Sequence, residues 1–182
     1  MKRIAVSVAL VVLIFTVAAQ AQTPVAKPGP EHKKLEIWVG DWTYEGEDKA
    51  TPLGPAGKHS GKITVRPILD GFFVEFRGEV KRPSGAHRWL EIDGYDPVNK
   101  RFTFSNFGSD GVVSTNTYTI EDNTISFSGT EVHGEKPYKV RGTGVIAPDL
   151  MSWVEKWEVS VDGKTWIQSS ESKFTKTKSL QK

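Results

Sequence analysis

The chain has 182 residues, with 24 Lys or Arg against 22 Asp or Glu, four His and no Cys. Without cysteine there is neither a disulfide framework nor a thiolate metal site, so stability must come from packing. Two of the basic residues, Lys2 and Arg3, fall in an N-terminal export signal, so the rest carries 22 basic against 22 acidic side chains; such a balance has no global field to draw the protein to nucleic acid or anionic lipid.

Lys2 and Arg3 precede an apolar run from Ile4 to Val17, interrupted only by Ser7 and Thr16, and Ala19-Gln20-Ala21 offers the small residues of a cleavage site. This pattern predicts a signal peptide over residues 1–21, a mature chain beginning at Gln22, and a periplasmic or secreted location. The run is shorter than the ~20 residues a spanning helix needs, and no cysteine can carry a lipid, so no membrane contact is expected after cleavage. Removing 21 of the 182 residues leaves 161, the length of one domain.

Pro24, Pro28 and Pro30 make residues 22–30 an extended linker. Glu31 to Trp38 follows a proline, begins acidic and sets Leu35 and Trp38 on one face, which predicts a short helix plugging the end of the domain at 31–176. From Gly40 the period changes to two. Phe72-x-Val74-x-Phe76, Phe102-x-Phe104, Ile125-x-Phe127, Tyr138-x-Val140 and Trp153-x-x-x-Trp157-x-Val159 alternate between turn signals such as Asp70-Gly71, Asp96-Pro97, His133-Gly134 and Asp162-Gly163. Hairpin after hairpin with no second helix predicts an all-β fold: an up-and-down antiparallel β-barrel of about ten strands with a short N-terminal helix, and residues 177–182 as a tail. A two-sheet sandwich is the competing all-β arrangement.

Gly40-x-Trp42 resembles the start of the first strand in lipocalin-type barrels, where glycine permits a tight turn and the indole closes one end; Gly40 and Trp42 are read as structural. In those barrels a basic side chain from a late strand rests on that tryptophan, and Lys173 is the nearest candidate here. More broadly, Pro28-Gly-Pro-Glu31, Val39-Gly40-x-Trp42, Arg66-x-Ile68-Leu69-x-Gly71-x-Phe73, Gly94-Tyr95-Asp96 and Asp162-Gly163-Lys164-Thr165-Trp166 resemble the bacterial lipocalin-like family labelled domain of unknown function 1579. The resemblance implies a calycin-type barrel, often exported, and brings no catalytic residues with it.

The chain shows no catalytic constellation. His32, His59, His87 and His133 stand singly, without metal-ligand spacing, and read as surface or turn residues. Gly54-x-x-Gly57 and Gly142-x-Gly144 lack a phosphate-loop lysine and a strand-to-helix context, and no G-x-S-x-G elbow exposes a serine. Ser160-Val-Asp-Gly-Lys-Thr-Trp166 resembles an Asp-box hairpin, which is structural wherever it occurs. No metal and no cofactor are expected.

Two strands mix carboxylates with large rings. On Trp89-x-Glu91-x-Asp93-x-Tyr95 the opposite face offers Leu90 and Ile92 as core, so Glu91 and Asp93 are expected outside. On Trp153-x-Glu155-x-Trp157 the opposite face is the more polar, so Glu155 is expected inside with both tryptophans, neutralised by Arg141 or Lys173. Trp153, Glu155 and Trp157 are therefore the candidate ligand-binding residues, for a small hydrophobic or amphipathic molecule. A barrel filled by Phe72, Phe76, Phe104, Phe127 and Trp157, or a hydrolase or isomerase using a buried carboxylate, are the alternatives. The barrel interior discriminates among all three.

Overall fold

The computed structural model describes residues 26–178. The expected signal peptide and its cleavage site lie outside the described residues, as do residues 22–25 of the linker and 179–182 of the tail. Pro30 opens a short helix, α1 (Pro30–Lys34), at the position where its missing N–H costs nothing, and a 3-10 turn (Leu35–Trp38) follows. Leu35 and Trp38 point together into the core.

Ten strands come next: β1 (Gly40–Asp48), β2 (Gly57–Ile68), β3 (Phe73–Arg82), β4 (Gly85–Asp96), β5 (Arg101–Gly108), β6 (Val113–Glu121), β7 (Thr124–His133), β8 (Lys136–Ile146), β9 (Ser152–Ser160) and β10 (Ile167–Lys178). Each pairs antiparallel with its neighbours in sequence, and β1 pairs with β10. The sheet therefore closes as an up-and-down barrel rather than splitting into a sandwich, and closure leaves no strand edge to protect. Strand β10 continues to Lys178, into the stretch read as tail.

Gly40 has φ 144, a conformation open to glycine at little cost, and it turns the chain from the 3-10 segment into β1. The plug is then tied down from several strands. Trp42 Nε1 donates to the Trp38 carbonyl at 2.7 Å, Lys176 Nζ donates to the Ile37 carbonyl at 3.1 Å, and Arg66 on β2 bonds the Gly40 carbonyl and, at 2.6 Å, Asp41 Oδ1.

Below the plug lies an aromatic layer. The Trp153 ring stacks on Phe174 at 4.0 Å, and the edges of Trp38 and Trp42 meet Trp153 at 5.2 and 4.5 Å. Trp42 is only 3% exposed. The cation over its ring is Lys176, at 4.5 Å, and not Lys173, which is exposed on the outer face. Strand alternation explains the correction: Phe174 points inward, so Lys173 must point out and Lys176 in.

The Asp162-Gly163 turn between β9 and β10 is a hairpin held by its own atoms. Asp162 Oδ1 accepts from the backbone N–H groups of Lys164 and Thr165, both at 2.8 Å, and these bonds hold its carboxyl down to about 2.

Candidate functional site: an acidic chamber inside the barrel

The barrel is not filled. Phe76, Phe104, Phe127 and Trp157 line a chamber of about 540 Å³ that opens at the end opposite the plug, between the β1–β2, β3–β4, β5–β6 and β7–β8 connections. Phe72 takes no part in the lining and packs against His32 of α1 instead. A volume of this size lies within the range of small-molecule pockets.

Strand β4 supplies the largest surprise. Glu91 and Asp93 line the chamber, and Asp93 is 3% exposed. The expectation that they face solvent is overturned. Leu90 and Ile92 occupy the outer face, and Leu90 pairs across the strands with Phe107, Phe107 with Val113, and Val113 with Val132, in an apolar row on the outside of the sheet. The alternation holds, but an apolar interior would put Leu90 and Ile92 inside, and this interior is a polar-floored chamber.

Glu155, on β9, also lines the chamber, with Trp153 and Trp157 on the same face. Neither residue expected to neutralise it does so. Arg141 is outside, bonded to Glu158 Oε2 at 2.7 Å and stacked over Trp166 at 4.2 Å, and Lys173 is exposed.

The three carboxyls are instead served by neutral donors. Asn106 Nδ2 donates to Glu91 Oε2 at 3.0 Å, Tyr118 Oη donates to Asp93 Oδ2 at 2.8 Å, and Trp153 Nε1 reaches Glu155 Oε2 at 3.4 Å, with the Trp157 indole beside it. Asp93 Oδ1 is enclosed with no N–H donor, and Glu91 and Asp93 share a side-chain hydrogen bond that needs a proton on one of them. Among the described residues no Lys or Arg forms an ion pair with any of the three.

Burial without a counter-charge favours the neutral acid. Desolvation lifts Glu155 to about 7, and desolvation together with the negative field of Glu155 lifts Glu91 to about 7. Asp93, buried and beside Glu91, is raised well above the ordinary carboxylate range. Burial and the adjacent Asp93 also raise the Tyr118 phenol well above its usual value.

Nearer the mouth lies a second polar group. Of the four histidines read as surface or turn residues, His59 is 4% exposed. Its Nε2 sits 2.8 Å from Ser172 Oγ, and its Nδ1 lies 3.1 Å from Asp48 Oδ1, with Arg82 Nη1 3.4 Å from the other oxygen of Asp48. The register explains the contact: Gly46 on β1 lies between His59 on β2 and Ser172 on β10, and a side chain at Gly46 would strike the imidazole. The missing side chain lets the ring lie across β1. Ser172 in turn pairs with Glu155 on β9, so the polar belt runs on to the carboxyl floor.

The remaining histidines serve locally. His32 accepts from the Gly29 N–H at 3.1 Å, His87 lies near Asp110, and His133 near Glu131, at the rim. Among the described residues no three His, Asp or Glu side chains are grouped to hold a metal ion.

These features define a class: a ten-stranded antiparallel barrel, plugged at one end, with an aromatic and acidic chamber open at the other. The sequence model of the family described as "Protein of unknown function (DUF1579)" matches residues 27–176, and the chain belongs to that family. The crystal structure of Rv2717c from M. tuberculosis is similar, with a TM-score of 0.59 over 82% of this chain and 98% of that one. At 10% identity the likeness is one of fold. No curated protein matches the chain.

Proposed function

We propose that the protein is an exported, lipocalin-like binding protein that takes up a small apolar or amphipathic molecule in its barrel. The observation that carries this reading is the chamber of about 540 Å³, with aromatic walls leading to a polar floor at Glu91, Asp93 and Glu155. An apolar tail buried among the rings supplies most of the affinity, and the floor orients the polar end.

Trp153 and Trp157 make binding visible. A screen of fatty acids, isoprenoids, aromatic acids and alkyl amines, read by tryptophan emission and thermal shift, tests the reading; a ligand at a hundred times its Kd raises stability by about 2.7 kcal/mol. Absence of any shift across the panel would favour a barrel whose work is done on its outer surface. Export is tested separately, by intact mass of protein recovered from the cell envelope. A mature form beginning at Gln22 is expected, and a membrane-bound form retaining Met1 would contradict it.

One observation favours a second reading. In the row Ser172, His59, Asp48, the imidazole can take the hydroxyl proton, with the Asp48 carboxylate within ion-pair distance of Nδ1 but not aligned to hydrogen-bond it. It ranks second because the His59–Asp48 hydrogen bond is not formed, and because Ser172 lies in mid-ladder, between Gly46 and Glu155, where the surrounding backbone N–H groups serve strand pairing rather than an oxyanion. Hydrolysis of p-nitrophenyl butyrate, abolished by Ser172→Ala and by His59→Gln, would promote it; no turnover above buffer would dismiss it.

A further inference from the structure

The chamber floor is peculiar in what it lacks. Glu91 and Asp93 from β4 and Glu155 from β9 meet at the closed end of a cavity whose basic side chains stand at the other end, at the rim. There Lys49 pairs with Glu47 at 2.9 Å and Arg82 with Asp48 at 3.4 Å, while His87 and His133 sit against Asp110 and Glu131. The groups facing the carboxyls are uncharged: Asn106 from β5, Tyr118 from β6, Trp153 and Trp157 from β9, and Ser172 from β10.

Each of those groups donates a hydrogen bond or can do so, but none brings positive charge. Several carboxylates buried this closely repel one another and need a cation or protons to be stable. A second observation points the same way: Asp93, 3% exposed, has one carboxyl oxygen on Tyr118 and the other enclosed at the chamber floor with no N–H donor, and it shares a side-chain hydrogen bond with Glu91 that needs a proton held between two acids. The floor is thus short of positive charge, and only protons offset its carboxyls.

We propose that the chamber binds an amphipathic primary or secondary amine, its ammonium group donating to Asp93 and to one or both of Glu91 and Glu155, its apolar portion lying among Phe76, Phe104, Phe127 and Trp157. An ammonium supplies what the floor lacks, and the electron-rich aromatic walls add attraction to a cation at no desolvation cost of their own. A fatty acid would bring a fourth negative charge to the same place. At the rim, Arg82 is already paired with Asp48. Below pH 7, before the amine arrives, the carboxyls hold protons. Binding therefore releases protons to solvent, because the ammonium replaces them as the neutralising charge.

The inference rests on the proposed binding function and narrows its ligand. The test uses three probes with one tail and different heads: decylammonium, decanol and decanoate, titrated into the full mature protein at pH 6, where the floor carboxyls are largely protonated, and followed by tryptophan emission and calorimetry. Decylammonium is expected to bind at least tenfold more tightly than decanol, with decanoate weaker than both. Repeating the amine titration in two buffers of different ionisation heat should show net proton release. Glu155→Gln and Asp93→Asn, each verified as folded by circular dichroism, should lose the tenfold preference while still binding decanol.

Equal or tighter binding of decanol or decanoate overturns the amine while leaving a binding barrel in place. No binding of any probe overturns both. Amine binding without proton release, or with its preference intact in both variants, overturns the placement of the ammonium at this floor.

Discussion

Two layers of the same three strands differ by one step along the barrel. Across β1, β10 and β9 the residues Tyr44, Phe174 and Trp153 lie in register, and the next inward-facing row is Gly46, Ser172 and Glu155. The first row is a stack of rings, with Tyr44 to Phe174 at 5.0 Å and Phe174 to Trp153 at 4.0 Å. The second contains no ring of its own and turns polar where β4 contributes Glu91 and Asp93 from the opposite wall. The closed end therefore gains stability by excluding water, while the chamber holds groups that folding would be easier without. Strand alternation fixes that both rows point inward; side-chain volume decides which row packs and which leaves space.

The largest effect should come from breaking the packed layer. Trp42→Ala removes a ring enclosed by Trp38, Trp153 and the Lys176 ammonium together with its bond to the Trp38 carbonyl, and should cost roughly 3 to 5 kcal/mol at any pH. Denaturant melts would read this as a fall in midpoint at constant slope. A loss below about 1 kcal/mol would mean that the plug is not what holds this end closed.

The polar layer should respond in the opposite direction. Glu155 moves from 4.5 to about 7 on folding, so the native state holds its proton more tightly than the unfolded chain does. The stabilisation from that proton is fully present below about pH 4.5 and is lost as the pH rises through 7, because the unfolded carboxylate ionises first. Glu155→Gln removes the loss. At pH 8 the variant should be more stable than the parent by about 1 to 3 kcal/mol, and at pH 4 the two should nearly coincide. Paired thermal melts at the two pH values check this; a variant less stable at pH 8 would mean that the Glu155 carboxylate has a counter-charge.

The closed barrel was legible from the sequence because each turn announced itself and the strands between them alternated. Glu155 was legible as inward because the other face of β9, with Ser152, Lys156 and Glu158, is the more polar one. Glu91 and Asp93 were not, since β4 carries apolar residues on the outer face, and only the register across β5, β6 and β7 reveals that Leu90 belongs to an external apolar row. The His59 and Ser172 contact was hidden for another reason. Those residues are 113 positions apart and meet only because β1 closes onto β10, with a glycine between them. A polar residue at an inward position opposite a glycine is the signal that could have found it.

The smallest effect separates two lysines on one strand. Lys176 Nζ lies over the Trp42 ring and donates to the Ile37 carbonyl, so it joins the last strand to both the plug and the aromatic layer, while Lys173 stands on the outer face. Partial burial lowers the Lys176 ammonium from its ordinary value, which means that its contacts only partly repay the lost water. Lys176→Ala should therefore cost only about 1 kcal/mol, the sum of a cation–π contact and a hydrogen bond less that desolvation. Lys173→Ala should stay within about 0.5 kcal/mol of the parent. Melts of the two variants side by side decide which lysine locks the barrel: equal effects would mean that the contact with Trp42 contributes nothing measurable, and a larger effect at Lys173 would place the inner face of β10 on the wrong residues.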